Sequence, residues 1–89
     1  MKLVGSAVRL KSGEVFFLPA PARHPHVFEA VREVHPDYRI RGGEDGDIQG
    51  FVLESGLFLN RVQALVVARR AGQVSGPLIG PVLTSEDLW

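Results

Sequence analysis

Residues 50–74, GFVLESGLFLNRVQALVVARRAGQV, constrain the fold more than any other part of the chain. Two apolar runs flank Ser55-Gly56, and a glycine there supplies the positive φ that a tight hairpin turn needs. The pattern predicts a hairpin over 50–60 with a two-residue turn, Leu53 opposite Phe58 and Val52 opposite Leu59. Asn60 precedes a helical run and Gln63 follows three residues later, the spacing of a capping box. Arg69-Arg70-Ala71-Gly72 gives a basic last turn and then a glycine stop, so the helix is expected over about 61–71.

The same grammar recurs upstream. AVRLKSGEVFFL, residues 7–18, alternates apolar and basic residues and turns at Ser12-Gly13. A two-residue turn sets Leu10 opposite Val15, Val8 opposite Phe17 and Lys11 opposite Glu14, with the Val8 face inward and Arg9 sharing the other face with Phe16. Pro19-Ala20-Pro21-Ala22 reads as an extended connector. Pro25 suits the first turn of a helix over about 25–35, whose buried stripe is Val27, Val31 and Val34, widened by Phe28 and Ala30. Tyr38-Arg39-Ile40-Arg41 could form a short strand, and Gly42 to Asp47 reads as a polar loop. Leu10-Lys11-Ser12-Gly13 and Leu53-Glu54-Ser55-Gly56 hold the same place in two hairpin-plus-helix units. The expected fold is therefore α+β, one domain over 1–89 on a ββα–ββα plan, with one antiparallel sheet packed by two helices. A tail over 75–89 ends in a short turn capped by Thr84 and Asp87.

Ten basic and ten acidic residues cancel, which disfavours non-specific binding of nucleic acid. The absence of cysteine excludes a disulfide framework and a thiolate zinc site. No apolar run approaches the ~20 residues needed to cross a bilayer, and the start of the chain is unlike a signal peptide. A cytoplasmic protein without membrane contact is the expectation.

The second helix is apolar on two sides. Val62, Leu65 and Val66 form one stripe, while Ala64, Val67, Ala68 and Ala71 form another. A single small sheet cannot cover both, and the second hairpin is likewise apolar on both faces, so a homo-oligomer is expected, its interface on the second helix, with Leu65 and Val66, or on the second hairpin. Arg69 falls inside the first stripe, where it either snorkels outward or reaches across an interface to an acid or an anionic ligand. Trp89 reads either as an interface anchor or as a residue packed on its own domain.

Arg23-His24-Pro25-His26 is the best candidate site. The free N–H groups and positive dipole end of the first helix lie there, and a guanidinium with imidazoles suits an anion such as phosphate. The plainer reading has His24 capping the helix and Arg23 in solvent. Arg61, just inside the second helix, stands against its local electrostatic interest, so an anion shared by both helix starts is one reason for it. Packing of its stem over Phe58, or pairing with an acid such as Glu54, is the other. Spacing of the three histidines fits no metal motif, and Glu44-Asp45-Gly46-Asp47 lacks the ligand string of a calcium loop. No nucleophile elbow or glycine-rich phosphate loop is present, so no enzyme activity, metal or cofactor is expected.

Several of these residues carry a resemblance. Pro21-Ala22-Arg23-His24 before a valine-rich helix, then Gly50-Phe51, Gly56-x-Phe58-x-x-Arg61-x-x-Ala64 and Ala71-Gly72-Gln73, and finally Ser85-Glu86-Asp87-Leu88-Trp89, resemble a family of short phage and prophage proteins without assigned activity. The resemblance spans most of the chain. It implies action in the cytoplasm of an infected bacterium, countering host defence. Two routes follow: sequestering a phosphorylated small molecule or nucleotide signal at Arg23 and His24, or blocking a host defence protein through a surface, as an anti-CRISPR does. Arg23, His24, Arg61 and the Ser85–Trp89 tail match the family pattern.

Overall fold

The computed structural model describes residues 1–39 and 46–89. Its first strand, β1, spans Leu3–Arg9 and pairs with β2, Val15–Pro19. Helix α1 covers His24–Val34. Strands β3, Ile48–Leu53, and β4, Phe58–Asn60, lead directly into helix α2, Arg61–Arg70. A 3-10 turn at Ser85–Asp87 follows near the end. The strands form one antiparallel sheet in the order β2-β1-β3-β4. This is the α+β plan read from the sequence, with each helix following its own hairpin.

Both hairpins close one residue differently from the expectation. Leu10 N–H donates to the Glu14 carbonyl and Gly13 N–H to the Leu10 carbonyl, both at 2.8 Å, which leaves a three-residue loop. The second loop repeats this, Leu53 N–H to Leu57 O at 3.0 Å and Gly56 N–H to Leu53 O at 2.8 Å. Gly13 and Gly56 take φ of 99° and 88°, the left-handed third position of such loops. The extra loop residue shifts each register. Val8 pairs with Phe16, Arg9 with Val15, Phe51 with Leu59 and Val52 with Phe58. Leu10 opposite Val15 and Leu53 opposite Phe58 are thus corrected, and Arg9 and Phe16 lie on opposite faces. Phe17 turns outward and is 51% exposed.

Strand β1 also starts earlier than residue 7. It is tied there by Gln73, whose side-chain amide accepts from Leu3 N–H at 2.9 Å and donates to Leu3 O at 2.8 Å. An irregularity between Leu3 and Gly5 turns Leu3 onto the face of Ser6, Val8, Phe51 and Leu53, the side that both helices cover. Leu3, Phe51 and Leu53 there join Ala64 and Ala68 of α2, Val74 and Leu83 in one buried cluster. The alanine stripe of α2 therefore faces inward, and Leu65 and Val67 pack at its flanks. Val62 and Val66 point away from the sheet, 75% and 49% exposed.

In α1 the buried residues are His24, Val27 and Val31, not Val27, Val31 and Val34. Val34 is 60% exposed because the helix ends at it, and His24 takes the matching place one turn earlier. Tyr38 and Arg39 are not in a strand; Ile40 to Asp45, which hold the rest of that expected strand and most of the polar loop, lie outside the described residues.

Among the described glycines, Gly50 has the closest surroundings. A β-carbon added there would run into the Leu59 carbonyl oxygen and lie 2.7 Å from the Phe58 ring. A backbone atom cannot step aside as a side chain can, so Gly50→Ala should cost ~2–3 kcal/mol of stability, read as a lowered urea midpoint. An unchanged midpoint would show that β4 is free to move.

Candidate functional site

Gly50 is also where the two helix starts meet. His24, the first residue of α1, places Nε2 2.8 Å from the Gly50 carbonyl oxygen, to which it donates. Asn60, the cap of α2, is the ladder partner of Gly50. Arg61 then reaches the neighbouring Gln49, Nη2 donating to Oε1 at 2.6 Å. From this junction the helices part. α1 ends with His35 against Phe16 and Glu14, beside the first hairpin loop. The chain after α2 runs the other way, to Gln73 at Leu3.

Each helix start is capped by a side chain three residues on. Asn60 Oδ1 accepts from Gln63 N–H at 2.9 Å and Gln63 Oε1 from Asn60 N–H at 3.0 Å, the expected capping box. At α1 the analogous acceptor is His26, whose Nδ1 takes the Arg23 N–H at 3.0 Å. Neither first turn contains an acidic residue. Two positive dipole ends therefore converge with no carboxylate in either turn to balance them.

The candidate residues divide on this frame. His24 is 5% exposed and stands edge-on to Phe51, with ring centroids 5.1 Å apart. Burial pushes its pKa below the ordinary value; the Gly50 carbonyl opposes that shift, and the nearby Arg61 charge adds to it. The ring is held neutral and serves as a strut between α1 and β3. Arg61 is half-buried, its pKa lowered by desolvation, and its Nε is buried without a hydrogen-bond partner. Among the described residues no carboxylate forms an ion pair with it. Arg23 is exposed and its Nε donates to the Trp89 main-chain oxygen at 2.7 Å.

Arg69 lies apart. It is at the far end of α2, where Nη1 donates to the Gly76 carbonyl at 3.0 Å. Leu65 packs half-buried against the core and Val66 faces outward on the same helix. Trp89 packs on its own domain. Its indole N–H donates to the Ala22 carbonyl at 2.8 Å, and its ring meets Phe51 edge-on at 6.2 Å. Buried Ser6 donates its hydroxyl to the same Ala22 oxygen at 2.8 Å, so the tail, the connector and β1 are tied at one atom.

Sequence reasoning missed Gln49 and Phe51. Gln49 is a polar residue at an inward strand position, a signal that could have marked it as a partner for a buried polar group. Phe51 touches His24 and Trp89 from sequence-distant segments, and no local pattern reports that. A separate cleft of about 530 Å3 opens beyond the far end of α1, lined by Lys11, His35, Tyr38, Arg39 and Asp47 among others. There Tyr38 donates to Asp47 Oδ2 at 2.9 Å, and burial together with that carboxylate pushes the phenol up to about 12. None of the candidate cations lines this cleft.

The described residues hold no helix long and apolar enough to cross a membrane, and no cluster of three or more potential metal ligands. Fold and site together define a small two-layer α+β domain with a basic junction between its helix starts. Across residues 2–89 the chain matches the family described as Phage T4 y16D protein, and it belongs to that family. The resemblance to short phage proteins is thereby confirmed at the level of family. No curated protein and no solved structure matches the chain.

The lowered pKa of His24 makes a pH prediction. The unfolded ring titrates near ~6.5 and the folded one below that, so the unfolded state binds more protons between the two values. The His24 contribution is complete above about pH 6.5 and lost as pH falls through that value toward the folded pKa. Unfolding free energies from urea titrations should drop between about pH 7.5 and 5.5, by at most ~1.4 kcal/mol per pH unit, and His24→Gln should flatten that slope. Identical slopes in both proteins would show that His24 titrates alike folded and unfolded.

Proposed function

We propose that this phage-family protein binds a small anion, a phosphorylated molecule of the nucleotide class, at the junction of its two helix starts, and so withdraws a signal from host defence. The observation that carries the reading is Arg61. A cation in the first turn of a helix opposes the dipole by ~0.3–1 kcal/mol, and this one also bears a desolvation cost. Among the described residues its one hydrogen-bond partner is a neutral amide, and its buried Nε has none. An incoming phosphate would meet Arg61 and the exposed Arg23 beside the positive ends of the two helices, cationic donors of the kind phosphate sites use. His24 takes a supporting part, since a neutral ring adds no charge but fixes α1 against Gly50.

A second reading rests on a different observation. Val62 and Val66 stand exposed next to Arg61 on α2, a surface suited to covering a host protein in the manner of an anti-CRISPR inhibitor.

Calorimetry with a panel of mononucleotides, cyclic dinucleotides and inorganic pyrophosphate tests the first reading. Binding by the wild type is expected, with Arg61→Gln weakening it by ~1.5–3 kcal/mol, the scale of a charge-assisted hydrogen bond. Arg69→Gln, at the far end of the helix, should leave affinity unchanged. Absence of binding across the panel, with a host protein co-purifying, would transfer the function to the second reading.

A further inference from the structure

The outward surfaces of the two helices are unlike in charge. Helix α2, RVQALVVARR, contains no acidic residue, and its side away from the sheet presents Val62, Val66 and Arg70, with Arg69 beside them. Helix α1 turns Glu29 and Glu33 outward, one turn apart on the side opposite the buried His24, Val27 and Val31. Val34 stands 60% exposed next to Glu33. No hydrogen bond or ion pair joins Glu29, Glu33 or Arg70 to any group among the described residues. The outward side of α2 thus carries valines and cations, and that of α1 carries two carboxylates with one exposed cation, Arg32, at its edge.

Within one molecule the two surfaces cannot meet, because both helices lie on the same side of the sheet. From these positions we infer that the protein forms a two-fold dimer in which α2 of each copy packs on α1 of the other. Val62 and Val66 pack on the outward side of the partner's first helix, and Arg70 faces the Glu29 and Glu33 carboxylates there. The arrangement is isologous, so every favourable pair occurs twice and the contact closes without leaving a free end. A helix-on-helix contact also leaves the outer face of the sheet uninvolved. Charge argues for a second copy over nucleic acid. The chain is neutral overall, and a phosphate backbone would not cover two exposed valines. The contact does not rest on the proposed ligand, since Arg61 turns toward Gln49 and not outward.

Sedimentation equilibrium from about 1 µM to 1 mM, a span that brackets weak and firm homodimers, tests this directly. The wild type should dimerise, and Val66→Asp should weaken association at least ~10-fold without changing the circular dichroism spectrum. Glu33→Arg alone and Arg70→Glu alone should each weaken it similarly, because each sets like charges together twice. The double variant Glu33→Arg/Arg70→Glu should recover most of the wild-type affinity. A monomer across the whole range overturns the inference. So does a dimer indifferent to Val66→Asp, or a double variant no better than the single ones.

Discussion

The missing side chain of Gly50 is the constraint on which the rest of the structure depends. On one side of the sheet its empty place is filled by the Phe58 ring, and on the ladder it lets the Leu59 backbone close in. Its carbonyl holds His24 and thereby fixes where α1 begins. Its ladder partner Asn60 fixes where α2 begins. A larger residue would move β4 and α2 together, since no residue separates them. The next residue, Phe51, then gathers His24 and Trp89 around a fully buried ring. Local freedom at one position is converted into long-range order by what packs into it.

Architecture was legible in the sequence because it is written in short-range chemistry. Both turns, both helices, the Asn60–Gln63 box and the Thr84–Asp87 turn follow from residues within four positions of one another. The registers were misread for a reason that is equally local. Ser-Gly fits a two-residue turn, but glycine at the third place of a three-residue loop satisfies the same positive φ. Choosing between them needs the twist of the paired strands, which a single strand's sequence does not carry. That one-residue difference turns Phe17 from the core to the surface.

The site was legible in parts. Arg61 stood out because its charge opposes the helix dipole, and the structure adds that its Nε finds no partner. His24 was singled out for its place at a helix start, yet its ring is buried and spent on a main-chain oxygen. Burial of that kind depends on β3, which is distant in sequence, so periodicity within α1 favoured Val34 instead. The strand order explains why His24 and Arg61 are close: α1 and α2 both begin over the central pair of strands. Arg69 was grouped with them only by type, and the length of α2 sets it at the other end.

The basic junction itself follows from the repetition of the hairpin-plus-helix unit. Ala7 and Gly50 each precede the leucine of their loop by three positions, and they pair with each other, so a local two-fold axis passes through that pair. A helix that begins near its own unit's share of such an axis is brought against its counterpart's beginning. Two identical units would therefore set two positive dipole ends together, a repulsive arrangement that an acid in either first turn would relieve. Neither turn has one. The two starts differ: one carries a histidine kept neutral by burial, the other an arginine that keeps its charge at a cost. A fold concerned only with its own stability gains by placing Asp or Glu at either position. That cation is held in place by Gln49, and its buried Nε has no partner among the described residues, so it bears its desolvation cost with no opposite charge to offset it.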